Sequence, residues 1–217
     1  MNLLEQVRLF PICLKLPFEN RLYCCMHGPD SFSVTPIKLP LLARDFPPER
    51  IQDFLSGRRC AQVALSELNP TFSDIEINMG SSGAPLWPDG YLGSISHILG
   101  QAIAIAAPKK EIKTLGIDIE KIISQPKAKE IKVYVMPDDF SVMKKEGLTE
   151  TESVTIAFSV KESAFKALYG TKDQIFEFED IQFTAFDRTT GFFTLTHDLQ
   201  GRVHILNADT LLTVVWR

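Results

Sequence analysis

The chain has 217 residues, 45% hydrophobic and 23% charged, which excludes a disordered tail, a collagen-like repeat and a disulfide-stapled miniprotein. Lys and Arg number 23 against 27 Asp and Glu, a formal net charge of -4, so a general affinity for nucleic acid or an anionic membrane is disfavoured. Cys13, Cys24, Cys25 and Cys60 form no CxxC pair and no metal-finger spacing, and read as reduced thiols of a cytoplasmic protein. The opening segment carries Glu5 and is broken by Pro11 and Lys15, so no signal peptide is expected. No uninterrupted apolar stretch approaches the roughly 20 residues that a bilayer span needs.

In chain order, residues 1 to 46 read as strands and loops, with Tyr23, Phe32 and Val34 in short runs. Pro47 and Pro48 suit a helix start. From Glu49 to Leu68 the residues Ile51, Phe54, Leu55, Val63, Ala64 and Leu65 keep helical spacing, and the other face carries Arg50, Arg58 and Arg59. Residues 69 to 90 are loop-rich, punctuated by Gly80, Gly83, Pro85, Pro88 and Gly90. Strands are expected over Tyr91 to Ser96, Gln101 to Ala107 and Leu115 to Glu120. The polar, Lys-rich stretch 121 to 150 predicts short helices and a loop. A long helix follows over Thr151 to Tyr169, with Gly170 as its stop. The tail reads as strands over Ile175 to Phe186, Gly191 to Thr196, Arg202 to Leu206 and Thr210 to Trp216. This order predicts an α+β fold: a pseudo-two-fold pair of similar lobes of about 110 residues, each a long helix on a small, mainly antiparallel sheet. The lobes are expected over 1–113 and 114–217, packed as one unit.

Three segments ask for chemistry. In Gly116-Ile117-Asp118-Ile119-Glu120 the strand alternation sets Asp118 and Glu120 on one face and sends the isoleucines into the core. Two carboxylates on one face repel unless a cation lies between them, and hard divalent ions take such a pair together with phosphate oxygens. A solvated strand face is the other reading.

The second segment is Phe158-Ser159-Val160-Lys161-Glu162-Ser163-Ala164-Phe165-Lys166. Val154, Ala157, Phe158, Ala164, Phe165 and Leu168 form an apolar stripe with Lys161 near its middle. A cation there must snorkel or find an anion. Glu162 borders the stripe, and Lys166 shares its face as an i,i+4 pair. A surface ion pair accounts for Glu162 and Lys166 but poorly for Lys161.

The third is the turn Gly80 to Pro88, followed by Ser94-Ile95-Ser96-His97. Its glycines and serines can offer donors to an anion, and a histidine at a strand end can reach a phosphate. Taken alone, a common turn and a structural histidine are the simpler reading. No Walker A loop, GxGxxG or GxSxG elbow is present.

Read together and in order, these pieces resemble the 4′-phosphopantetheinyl transferases, most closely the monomeric, two-lobed type that activates nonribosomal peptide synthetases of the enterobactin kind. The family's GxDxE matches Gly116, Asp118 and Glu120, and its [FW]-x-x-K-E-[AS]-x-x-K matches Phe158, Lys161, Glu162, Ser163 and Lys166. Phe54 to Arg58 looks like its FLxGR helix, with Arg50 upstream, and Pro85 to His97 is similar to its segment around the nucleotide end of coenzyme A. The resemblance covers about residues 48 to 170. Three positions depart from it: Gln62 replaces a second Arg while Arg59 is an extra one, Ala84 replaces a Lys, and Ile119 replaces a third acid.

The resemblance implies a holo-[carrier protein] synthase, which moves the phosphopantetheine arm of coenzyme A to a serine of an apo peptidyl, aryl or acyl carrier domain and releases adenosine 3′,5′-bisphosphate. Mg²⁺, or Mn²⁺ on the same oxygens, is expected on Asp118, Glu120 and Glu162. Glu162 is the expected base, with Lys166 at the departing phosphate and Lys161 on the pyrophosphate. The N-terminal lobe would hold the nucleotide end of coenzyme A through Arg50, Arg58, Arg59, Gly83, Ala84, Pro85, Ser96 and His97. The C-terminal lobe would hold metal and catalytic helix. A metal-dependent phosphodiester hydrolase of coenzyme A and a non-catalytic coenzyme A or carrier-binding module remain as alternatives.

Overall fold

The computed structural model describes residues 7–27, 46–98, 100–136, 140–169 and 177–217. The chain divides into two compact units, Met1–Ile112 and Lys113–Arg217, and each is a long helix on an antiparallel sheet.

In the first unit, strands β1 (Val7–Ile12), β2 (Arg21–His27), β3 (Tyr91–Ile98) and β4 (Gln101–Pro108) pair antiparallel in the order β1-β2-β4-β3. Helix α1 (Pro48–Leu68) opens on two prolines, whose fixed φ suits the first turn. Its small residues Cys60, Ala61 and Ala64, with Leu65, pack on Ala102, Ala104 and Ala106 of β4. The alternation of small side chains along β4 therefore sets a flat bed for the helix. Gly57 brings α1 closer still to β3, because a Cβ there would lie 2.6 Å from the Ile95 side chain. Gly93 leaves room for the ring of Trp87 in the same way.

In the second unit, β5 (Leu115–Lys121), β6 (Phe183–Phe186), β7 (Phe192–Leu195), β8 (Gln200–Asn207) and β9 (Thr210–Trp216) form a sheet ordered β5-β9-β8-β7-β6, again antiparallel throughout. Between β5 and β6 come α2 (Gln125–Val135), α3 (Phe140–Lys145) and α4 (Glu150–Leu168). The start of α4 is a capping box. Thr149 Oγ1 accepts from the Glu152 N–H, and Glu152 Oε2 accepts from the Thr149 N–H at 2.8 Å. Val154, Ala157, Val160 and Ala164 then pack into a core shared with Phe193, Leu211 and Val215.

Several expectations need correction. Of the strand expected over Ile175 to Phe186, Ile175 and Phe176 lie outside the described residues, and the rest holds a 3-10 turn at Phe178–Asp180 followed by β6. The Asp180 carboxylate accepts from the Glu177 N–H at 2.9 Å, and this local cap competes with extension. Phe165, assigned to the apolar stripe, is 39% exposed. Cys60 is disulfide-bonded rather than a thiol, whereas Cys13 and Cys24 are free. Phe32, Val34 and the Gly170 stop lie outside the described residues. No helix among the described residues is long and apolar enough to cross a membrane.

Candidate active site

The acidic strand and the Lys-Glu helix meet in the second unit, and a glycine is the reason. A Cβ on Gly116 would collide with the Ser163 carbonyl, so α4 lies against bare backbone of β5 at that point. Two residues along the strand, on the same face, comes Asp118; one turn or less along the helix come Glu162 and Lys166. Three hydroxyls lock this approach. Thr213, the β9 partner of Asp118, stands 2.9 Å from Ser159 Oγ and 2.7 Å from Ser163 Oγ, all three side chains fully buried. These hydroxyls satisfy one another and the Ser159 carbonyl, to which Thr213 donates at 3.0 Å.

The acidic face of β5 is thus the one that α4 covers. Ile117 and Ile119 are buried on the opposite face, and Asp118 is buried as well, at 5% exposure. Lys166 holds it: Nζ donates to Asp118 Oδ1 at 2.7 Å and to the Ile117 carbonyl at 3.1 Å. Burial pushes Glu120 up to about 7, helped by the negative charge of Asp118 and, more weakly, of Glu162; the Lys121 N–H and Lys166 oppose it. Glu162 is also raised, by burial first, with Lys166 opposing and Asp118 adding.

Three carboxylates therefore stand within electrostatic reach of one another, and Lys166 offsets their charge only in part. Carboxylate oxygens are the donors that a hard divalent cation takes, so the donor set fits Mg²⁺. Among the described residues no three His, Cys, Asp or Glu side chains are already gathered closely enough to hold an ion.

Lys161 lies among the buried residues of α4, where the helical spacing sets it. It is fully buried, at 0% exposure, and its ammonium donates to the Phe178 carbonyl at 3.0 Å. Phe158, one turn before it, stacks on the Phe178 ring with centroids 6.3 Å apart. The two halves of the helix motif therefore do different work: Phe158 and Lys161 hold the segment at Phe178, while Glu162 and Lys166 address β5.

In the first unit, Arg58 is buried, with its guanidinium 4.7 Å from the centre of the Phe54 ring; burial lowers its pKa to about 10. Burial lowers Arg59 too. Among the described residues neither guanidinium is paired with a carboxylate, and the Nε of each is buried with no hydrogen-bond partner. Arg50 is exposed and lies over the Phe46 ring at 5.2 Å. The loop at Gly80 to Pro85 closes through the Gly80 N–H to the Ala84 carbonyl at 2.8 Å and an isolated bridge from Met79 to Pro85, with Gly83 at φ +87°. Ser96 is buried on β3, and the His97 Nδ1 stands 3.8 Å from Asp53 Oδ2, a partner that the sequence reading did not name. The close approach at Gly57 and Ile95 explains that pair, since Asp53 is one helical turn before Gly57 and His97 two strand residues after Ile95.

Comparison with known proteins agrees with this geometry. Residues 41–107 match the model for the 4′-phosphopantetheinyl transferase N-terminal domain, and residues 114–215 match that for the 4′-phosphopantetheinyl transferase superfamily. The 4′-phosphopantetheinyl transferase Npt of Nocardia iowensis is 30% identical over 160 residues, covering 72% of this chain and 68% of that protein. PptT of Mycobacterium tuberculosis is 28% identical over 81% of this chain and 76% of its own length. Enterobactin synthase component D of Salmonella typhimurium is 38% identical, over 55% of this chain and 48% of its own. By its two motif-bearing units, its acidic strand packed on the Lys-Glu helix, and these matches, the chain belongs to the 4′-phosphopantetheinyl transferase superfamily.

Proposed function

We propose that this chain moves the 4′-phosphopantetheine arm of coenzyme A to the serine hydroxyl of an apo carrier domain of a nonribosomal peptide synthetase, in siderophore assembly. The observation that carries this reading is the convergence of Asp118 and Glu120 on β5 with Glu162 and Lys166 on α4, which leaves a local excess of negative charge. The similarity to enterobactin synthase component D supports the siderophore branch.

Asp118, Glu120 and Glu162 would hold Mg²⁺, which supplies charge stabilisation at the pyrophosphate oxygens when bound. Glu162, with its pKa raised by burial, is suited to take the proton of the carrier serine as its oxygen attacks the pantetheine-bearing phosphorus. Lys166 can meet the departing phosphate with an ammonium already fixed by Asp118. Arg58 and Arg59, charged and with no carboxylate partner among the described residues, suit the phosphorylated ribose end of coenzyme A.

The test is intact mass spectrometry of an apo peptidyl-carrier domain incubated with coenzyme A, Mg²⁺ and this protein. A mass gain of one phosphopantetheine, lost on chelation, is expected. Consumption of coenzyme A with no carrier gain would identify a hydrolase instead, and no consumption with coenzyme A still bound would identify a binding module.

A further inference from the structure

Gln62, on α1, has a buried side chain whose amide is used at both ends. Its Oε1 accepts from Arg59 Nη1 at 2.6 Å, and its Nε2 donates to the Ser73 carbonyl at 2.9 Å. Ser73 follows the 3-10 turn Pro70–Phe72, which the Asn69 side chain caps by accepting from the Thr71 N–H at 3.1 Å. A short relay thus runs from a capped turn, through one amide, to a guanidinium.

The chemistry of the holder matters. A carboxylate in that place would orient Arg59 and also cancel its charge. An amide oxygen orients it and leaves the charge whole. Arg58, the preceding residue, is fixed differently, over an aromatic face, and it too keeps its full charge. Keeping two consecutive, partly or wholly buried guanidiniums with no carboxylate partner among the described residues is costly unless a ligand supplies the anion. From this relay we infer that Gln62 is a positioning residue, which holds Arg59 as a second cationic arm beside Arg58 for a phosphomonoester dianion. Resting on the function proposed above, that dianion is the 3′-phosphate of coenzyme A. Gln62 then determines how strongly the chain distinguishes coenzyme A from its dephosphorylated form.

The experiment is calorimetric titration of the full chain with coenzyme A, with 3′-dephospho-coenzyme A and with inorganic phosphate. The wild type is compared with Gln62→Leu, which removes the relay, and Gln62→Glu, which keeps the contact to Arg59 but neutralises it. The wild type should prefer coenzyme A over the dephospho form by about 30-fold or more, as expected for charge-assisted hydrogen bonds. Both variants should lose about tenfold of that preference, with affinity for the dephospho form unchanged. A melting curve for each variant checks the fold, and the Glu variant carries the test if the Leu variant unfolds. A merely structural role would move both coenzyme affinities together, so a preference kept in the folded variants overturns the inference and leaves the transfer reaction standing. Inorganic phosphate binding as tightly as coenzyme A would mark a generic anion site and also overturn it. Failure of the wild type to bind either coenzyme would overturn the proposed function itself.

Discussion

Replacing Glu120 with Gln should make the protein more stable and inactive at once. The Glu120 carboxyl is held at about 7 in the folded chain against an ordinary 4.5, because it is partly buried beside Asp118 and Glu162. Between those two pH values the folded state keeps a proton that the unfolded chain has released. Stability therefore falls as pH rises through this window and levels off above about pH 7. The full shift corresponds to about 3 kcal/mol at 1.4 kcal/mol per unit. Solvent reaches the group, so on the order of 1–2 kcal/mol is the realistic share. Glutamine matches the protonated acid in shape and cannot ionise. In urea unfolding with a chelator present, the variant and wild type should agree near pH 5, and the variant should be more stable by about 1–2 kcal/mol near pH 8. Added Mg²⁺ should close that gap by stabilising the wild type more than the variant, while carrier modification by the variant collapses. Equal stability of the two proteins at pH 8 without metal would refute the crowding of carboxylates from which the site is argued.

Glu162→Ala should lower the rate of carrier modification by about 10²–10⁴-fold, the usual worth of a placed base, with the melting temperature held; transfer at the wild-type rate would remove Glu162 from the chemistry. Gly116→Ala should cost about 2–3 kcal/mol in urea unfolding, because the new methyl meets the Ser163 carbonyl and α4 must move. Its folded fraction should also be poorly active, since that movement draws Lys166 away from Asp118. Arg58→Ala should raise the KM for coenzyme A about tenfold or more with kcat nearly unchanged, as steady-state assays on the carrier domain would read.

How far the sequence led depended on the range of the contact involved. Alternation along 116–120 and the i,i+4 spacing of Glu162 and Lys166 are local, and both pairs of side chains lie where those periods send them. The start of α4 is equally local, since Thr149 and Glu152 are a capping-box pair in plain text, although the expected helix begins at Thr151, one residue after Glu150. Lys161 shows the limit. The helical period located a cation in an apolar stripe, but not its partner, because the Phe178 carbonyl is 17 residues on and becomes available only when a 3-10 turn interrupts the expected strand. The identity of the covered face was also hidden. A strand buried on both sides gives no sign of which side a helix will take, and alternation alone sent the isoleucines inward and the acids outward.

What resolves that ambiguity is small residues rather than charges. Gly116 opens the acidic strand motif, and Ser163 lies inside the Lys-Glu motif; the two meet at backbone contact, with Ser159 and Thr213 holding the same crossing. The crossing fixes where Asp118, Glu120, Glu162 and Lys166 stand before any of them interacts. Attraction between Lys166 and Asp118 contributes to the assembled site, but burial of the carboxylates and, after it, their mutual repulsion work against it, as the raised Glu120 records. Close packing of uncharged residues is therefore what keeps the acids together, and the charge that they cannot balance among themselves remains for a cation and a pyrophosphate.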